Sequence, residues 1–125
     1  MTRYLKAAEL LFLHTSQIEL YGGSPGLRDP GQLEAALYRP QTGYYPDLVA
    51  EAAALWESLS QNHPFVDGNK RAAMAGTLTF LLLNDHDLDV DADALWNFLT
   101  GLYETHNFRF EFIEPWLRRH VVKLP

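Results

Sequence analysis

Apolar residues recur along this chain with the 3.6-residue period of helices, and no segment alternates between apolar and polar positions as a strand would. A first helix is predicted from about Lys6 to Tyr21. Gly22 and Gly23 end it, because glycine readily adopts the left-handed conformation common at helix C-termini. The core face of this helix is predicted to carry Ala8, Leu11, Phe12 and Ile18.

A short second helix is predicted after a double turn, where Asp29 can cap it and Pro30 suits its first position. Residues Arg39 to Tyr45 hold a proline and a glycine and are predicted to form a loop. A third helix is predicted from about Pro46 to Gln61. Its apolar stripe comprises Leu48, Ala52, Leu55, Trp56 and Leu59.

The fourth predicted helix, Lys70 to about Leu83, is apolar almost all round, which is typical of a central, buried helix. Two more are predicted near Ala92 to Glu104 and Glu111 to Val121, the former with a core stripe of Leu95, Phe98, Leu99 and Leu102. The prediction is therefore an all-α bundle of about six helices, with residues 1–125 forming a single domain around one core. The tryptophans lie at helical core spacings, so packing is the expected role of Trp56, Trp96 and Trp116.

Composition narrows the classes of function. With 47% apolar and 21% charged residues, the chain has the make-up of a globular protein. Its net charge of −6 opposes direct nucleic-acid binding, which argues against a ribonuclease. There are no cysteines, so disulfides and cysteine-based zinc sites are excluded. No signal peptide or membrane span is predicted, so we expect a cytoplasmic location and no membrane partner.

The segment His63-Pro-Phe-Val-Asp-Gly-Asn-Lys-Arg71 joins the third helix to the fourth and carries the candidate chemistry. The first amides of a helix are unpaired and lie at the positive end of its dipole, so they form an anion site. Gly68 allows the backbone to turn sharply and approach a ligand closely. Lys70 and Arg71 add positive charge there, which opposes the helix dipole unless an anion is bound.

The remaining residues of this segment supply a base, a metal ligand and an anchor. His63 is the obvious general base. Asp67 is a natural ligand for Mg²⁺, although it could equally cap the helix. Asn69 can donate to a phosphate or cap the helix, while Pro64 and Phe65 are expected to anchor the loop. Together these residues predict transfer from a nucleoside triphosphate to a hydroxyl group.

Five aspartates between positions 85 and 93 superficially resemble a calcium loop. Counting from Asp85, the sixth position is Val90 instead of glycine and the twelfth is Trp96 instead of glutamate. The other registers fail as well. We therefore predict a polar turn that caps the next helix.

The segment from His63 to Arg71 has the pattern His-Pro-Phe-x-Asp-Gly-Asn-x-Arg, and in this the chain resembles the Fic/Doc family. The stretch Tyr21 to Gly31 also looks like the turn of the death-on-curing (Doc) branch, and chain length and helix order are similar throughout. Lys70 replaces the glycine usual in adenylylating Fic enzymes. Met74 stands where those enzymes tend to carry a second arginine.

Resemblance to the Doc branch implies a toxin of a toxin–antitoxin system that is a protein kinase. It implies transfer of the γ-phosphate of ATP to a threonine of translation elongation factor Tu, which arrests protein synthesis. It also implies that His63 is the base, that Asp67 holds Mg²⁺, and that phosphate or nucleotide is bound by Gly68, Asn69, Lys70 and Arg71. Residues 39–45 would correspond to a target-docking flap.

Two alternatives remain at this point. One is transfer of AMP to a protein hydroxyl, since Gly68 is typical of Fic enzymes. The other is a non-catalytic nucleotide-binding module, against which the intact His63 and Asp67 argue. The chain lacks the family's inhibitory Ser/Thr-x-x-x-Glu-Gly/Asn motif, which implies restraint by a separate antitoxin protein.

Overall fold

A computed structural model describes all residues from 1 to 125 and contains six α-helices with very little sheet. The helices are α1 Ala7–Tyr21, α2 Pro30–Tyr38, α3 Leu48–Gln61, α4 Asn69–Leu83, α5 Ala92–Glu104 and α6 Phe110–His120. A single 3₁₀ turn, Arg39–Gln41, follows α2, and two short strands are β1 His86–Leu88 and β2 Val121–Lys123. The predicted all-α class and the number of helices are confirmed.

Aspartates begin three of the helices. Asp29, Asp47 and Asp91 each accept a hydrogen bond from the backbone N–H three residues further on, at 2.7 to 3.1 Å. A side chain in this position satisfies an N–H that the helix itself leaves unpaired. The predicted cap at Asp29 is confirmed, as is the cap of α5 by the aspartate-rich segment, although residues 86–88 of that segment form a strand and not a turn. Helix α3 begins slightly later than predicted, because Asp47 is its capping residue.

Helix α3 is the most buried element, with ten of its 14 residues shielded from solvent. It packs along α4, and α1 covers another side of α4. Gly76 of α4 permits this close packing, since a Cβ there would lie 2.9 Å from a methyl carbon of Leu10 and 3.2 Å from one of Leu59. Packing against α1 and α3 therefore holds α4 in place, and with it the candidate motif at its start. No helix combines the length and apolar character that crossing a membrane requires.

The predicted core face of α1 was wrong. Phe12 is 71% exposed and Leu11 37%, whereas Leu10 and His14 are the buried residues of this helix. Residues 10–13 of α1 are all apolar, so two different faces of this helix fit the helical period equally well. Packing against α4 near Gly76 selected the face with Leu10.

The two strands were not predicted. They pair antiparallel, with His86 opposite Lys123 and Leu88 opposite Val121, and so join the end of the chain to the segment after α4. Strands of three residues are too short to reveal an alternating pattern in the sequence.

The packing role predicted for Trp96 was also wrong. Trp56 is fully buried and Trp116 is 9% exposed, but Trp96 is 68% exposed. Helix α5 contacts the core through Leu99, which is 8% exposed, and its predicted stripe packs there. Trp96 lies on the part of α5 that faces a cavity, so no neighbouring helix covers it.

Candidate active site

A cavity of about 690 Å³ lies between the motif loop and one face of α5. The motif contributes His63 and every residue from Val66 to Arg71, and α4 adds Met74. Helix α5 contributes Trp96, Leu99, Thr100, Tyr103 and Glu104. A smaller cavity of about 250 Å³ shares the side chains of His63, Lys70 and Tyr103 with it. The loop at residues 39–45 lines neither cavity.

The start of α4 forms an open anion site at this cavity. Gly68 precedes the helix with a φ of 75°, a left-handed conformation that glycine adopts without strain. The backbone N–H groups of Asn69, Lys70 and Arg71 have no acceptor within the protein. Such unpaired amides at the positive end of a helix dipole suit a phosphate group.

The side chain of Asn69 braces the motif loop. Its Oδ1 accepts a hydrogen bond from the N–H of Phe65 at 2.9 Å, and its Nδ2 donates to the carbonyl of Phe65 at 3.0 Å. It does not cap α4, which was one of the two roles expected for it. One Nδ2 hydrogen and the backbone N–H remain for a ligand.

Beneath the loop, Pro64 is buried and Phe65 is 2% exposed. The ring of Phe65 stacks on the imidazole of His14, which is itself buried. His14 Nε2 donates to the carbonyl of Asp67 at 2.7 Å; a carbonyl can only accept, so this nitrogen carries the hydrogen. Sequence reasoning missed His14, although its position four residues after the apolar Leu10 was a signal that it faces inward.

The turn between α1 and α2 holds the backbone at the start of the motif. Arg28 Nε donates to the carbonyl of His63 at 2.7 Å, and its Nη2 donates to that of Asn62 at 3.1 Å. The N–H groups of Arg28 and Asp29 both donate to the carbonyl of Pro64, at 2.7 and 3.0 Å. His63 has a φ of 48°, which is uncommon for any residue but glycine, and these bonds maintain it. The sequence predicted that this turn caps α2 and carries a family resemblance, but it did not predict that Arg28 positions His63.

The side chain of His63 is exposed and has no hydrogen-bond partner within the protein. Its ring nitrogens are therefore open to a molecule in the cavity. Arg71 is partly buried and donates through Nη1 to the carbonyl of Gln17 at 3.4 Å, a long bond that leaves most of its donors free.

Asp67 is hydrogen-bonded both to the turn between α1 and α2 and to the next residue of the motif loop. Its carboxylate accepts hydrogen bonds from the N–H of Ser24 at 3.0 Å and from that of Gly68 at 2.8 Å. These two bonds, supported by the charge of Arg71, hold the pKa of Asp67 below its ordinary value of 3.8. A Cβ on Gly23 would lie 2.8 Å from this carboxylate and 3.0 Å from Arg71 Nη2, so both side chains would have to shift, and the φ of 118° also favours glycine here.

The chain offers limited protein ligands for a metal ion. No three side chains of His, Cys, Asp or Glu come together in a group that could hold one. Asp67 is nevertheless an ionised, exposed carboxylate beside an anion site. This donor set fits Mg²⁺, which is commonly held by one or two carboxylates together with substrate phosphates and water.

Lys70 is held against the α5 wall. Its Nζ lies 4.4 Å from the ring centroid of Tyr103, a cation–π contact. Tyr103 stacks on Phe108, with centroids 4.3 Å apart, and its hydroxyl is 2.8 Å from Ser60 Oγ. Burial raises the pKa of Tyr103 to about 12, so the phenol stays neutral and can donate to Ser60. Sequence reasoning missed Tyr103.

Comparison with known proteins gives a consistent result. Residues 4–81 match the Fic/DOC family. The chain is 46% identical over 99 residues to Toxin Doc of Mycolicibacterium smegmatis, covering 75% of this chain and 74% of that protein. It is 37% identical over 86 residues to Protein kinase doc of Escherichia phage P1, covering 66% and 68%. The family match includes the turn and the motif but ends within α4, before the cavity wall formed by α5.

Proposed function

Because the chain belongs to the Fic/Doc family, we propose that it is a Doc-type toxin that acts as a protein serine/threonine kinase. It transfers the γ-phosphate of ATP to a protein hydroxyl, with a threonine of elongation factor Tu as the target, and so arrests translation. Its relatives named Toxin Doc and Protein kinase doc support this proposal. The observation that carries it is the convergence of His63, Asp67 and the open start of α4 on one cavity.

The start of α4 binds the terminal phosphates. The three free N–H groups of residues 69–71 donate to phosphate oxygens, and the dipole of α4 favours their negative charge. Lys70 and Arg71 add two formal positive charges at the same end of the cavity. Phosphoryl transfer depends mainly on positioning and charge stabilisation, and this arrangement supplies both.

Asp67 is the residue that would hold Mg²⁺ together with the phosphates. When bound, the ion would neutralise charge that develops on the phosphate oxygens. The two backbone hydrogen bonds favour the ionised carboxylate and fix its direction. This carboxylate therefore needs little reorganisation on binding.

His63 acts as the general base. As the hydroxyl oxygen forms its bond to the γ-phosphorus, His63 accepts the hydroxyl proton. The bond between the γ-phosphorus and the bridging oxygen breaks, and ADP leaves with the electron pair. The free ring and the backbone bonds from Arg28 support this role, because the imidazole is available and its backbone is held in place.

Lys70 is the residue that favours phosphate over AMP transfer. Its side chain occupies the cavity wall beside Tyr103, whereas the glycine usual in adenylylating relatives would leave that space open. AMP transfer to a protein hydroxyl is the second candidate, and Gly68 is the observation that favours it, because Gly68 is typical of Fic enzymes.

The two candidates are separated by the position of the label. Purified protein, Mg²⁺ and ATP labelled on either the α- or the γ-phosphate are incubated with elongation factor Tu. We expect label only from the γ position, and its loss in His63→Ala. Transfer from the α position would contradict the kinase proposal and favour AMP transfer.

The role of Lys70 has its own test. Lys70→Gly should lower γ-transfer and raise α-transfer in the same assay. Unchanged γ-transfer in this variant would mean that Lys70 does not determine the reaction. Tyr103→Phe is the matched control, since it keeps the aromatic ring beneath the ammonium group.

Membership of the Fic/Doc family also suggests how the activity of this protein is inhibited. A separate antitoxin protein is the proposed partner, since this chain lacks the family's internal inhibitory motif. Co-expression with the cognate antitoxin should restore growth of cells that produce the toxin. His63→Ala should make the toxin harmless without the antitoxin.

A further inference from the structure

Trp96 is exposed to 68% even though it belongs to a wall of the main cavity. A single exposed apolar residue is common on protein surfaces and needs no function. Here, however, the exposed ring lies in the cavity that also holds the motif. It is also the one tryptophan of three that the core does not cover.

Trp96 belongs to a continuous face of α5. Trp96, Leu99, Thr100 and Tyr103 have the spacing i, i+3, i+4, i+7, which places them along one side of a helix. Tyr103 marks the phosphate end of this face, because Lys70 Nζ lies 4.4 Å from its ring. Trp96 is seven residues earlier, or about 10 Å along the helix axis.

The cavity therefore has two chemically different regions. At the start of α4 are free amides and cations, which suit phosphates. Along α5 the lining is aromatic and apolar at Trp96, Leu99 and Tyr103, and Thr100 and Glu104 are its polar members. Trp96 lies at the end of this face away from Tyr103. A nucleotide has the same division, with charged phosphates at one end and a flat aromatic base at the other.

We propose that Trp96 stacks on the base of the nucleotide whose phosphates bind at α4. This inference rests on the proposed function, since it assumes a nucleoside triphosphate as the ligand. Every base presents a π face, so stacking gives affinity without hydrogen-bond readout. A protein segment in this cavity could pack against the aromatic residues of α5. Unlike a nucleotide, it would leave the α4 amides unpaired unless it carried an anionic group.

Binding of ATP and of inorganic tripolyphosphate in the presence of Mg²⁺, measured by calorimetry, tests this role. Tripolyphosphate has the phosphates but no base. Wild-type protein should bind ATP more tightly, by roughly 5- to 100-fold if base stacking has its usual strength. Trp96→Ala should lose that preference and retain its affinity for tripolyphosphate, while Trp96→Phe should keep part of it.

Phe12→Ala provides the matched control, since Phe12 is an exposed aromatic residue on α1 that does not line the cavity. It should leave both affinities unchanged. Tryptophan fluorescence gives a second readout. ATP should quench the emission of the wild type but not that of Trp96→Phe, because the remaining tryptophans, Trp56 and Trp116, are buried.

Three results would overturn the inference. If Trp96→Ala prefers ATP over tripolyphosphate as strongly as the wild type does, Trp96 does not stack on the base. In that case the proposed function still stands if the wild type transfers the γ-phosphate. If Trp96→Ala raises the KM for elongation factor Tu and leaves the KM for ATP unchanged, Trp96 contacts the protein substrate and not the base. Failure of wild-type protein to bind ATP at all would contradict the proposed function as well.

Discussion

The imidazole of His14 lies flat against the ring of Phe65, with centroids 3.7 Å apart and planes inclined by 3°. The same imidazole donates through Nε2 to the carbonyl of Asp67. One side chain of α1 thus supports both the apolar anchor of the motif loop and the backbone of its acidic residue. The hydrogen bond can be removed while the stacking on Phe65 is kept.

His14→Phe keeps an aromatic ring against Phe65 but removes the donor to Asp67. An unpaired, partly buried carbonyl should lower the free energy of unfolding by about 1–3 kcal/mol. Urea denaturation measures the change, and Thr15→Ala is the control on the exposed side of α1. If His14→Phe is as stable as the wild type, the hydrogen bond to Asp67 contributes nothing.

Arg28→Ala should affect catalysis more than binding. Loss of its bonds to the carbonyls of His63 and Asn62 frees the backbone that carries the base, and misplacement of a reacting group can lower a rate by up to about 100-fold. The KM for ATP should change little, because the α4 amides remain. Steady-state kinetics separates the two effects.

The control for this variant is Arg119→Ala, since Arg119 is exposed and has no ion pair or side-chain hydrogen bond. Its kcat should equal that of the wild type. An Arg28→Ala variant with wild-type kcat and a higher KM would place Arg28 in ATP binding instead of in positioning.

Gly23→Ala should disturb Asp67 and Arg71 directly. The new Cβ would lie 2.8 Å from the carboxylate of Asp67, so this exposed side chain must shift, and the φ of 118° adds a backbone cost of about 1–3 kcal/mol. The affinity for Mg²⁺ and ATP together should fall as the carboxylate moves. Calorimetry and thermal denaturation measure the two effects.

Gly22→Ala is a closely matched control for that change. Gly22 also has a positive φ, 83°, but a Cβ there would meet nothing within 4 Å. It therefore carries the backbone cost of about 1–3 kcal/mol without the clash. Equal losses of affinity in both variants would show that backbone strain, and not contact with Asp67, is responsible.

Asp67 should make stability depend on pH in a defined direction. Its pKa lies below 3.8 because Ser24 and Gly68 donate to the ionised form. The folded state therefore favours the carboxylate. Stability from this group is present above the ordinary carboxyl pKa and is lost as pH falls through the lowered one.

Asp67→Asn removes this group from the titration. The difference in unfolding free energy between wild type and variant should be constant near neutral pH and should shrink as pH falls below 3.8. Denaturation series at several pH values measure it. A constant difference at every pH would contradict the pKa of Asp67 as described.

Local chemistry made much of this molecule predictable. Helical periodicity, an aspartate cap at Asp29 and the glycines after α1 act over a few residues, so the helices could be read from the chain. The candidate site from His63 to Arg71 could be predicted for a similar reason, because its residues are contiguous in the sequence. Seven of its nine residues line one cavity because a single loop carries them to the start of a buried helix, while Pro64 and Phe65 lie beneath that loop.

Contacts between distant parts of the chain decided the rest. Which face of α1 is buried depends on α4, and the roles of His14 and Arg28 depend on a loop 35 to 53 residues away. Trp96 has an ordinary core spacing, yet α5 faces a cavity at that point. Periodicity indicates which residues can be buried, whereas only tertiary packing determines which of them find a neighbour.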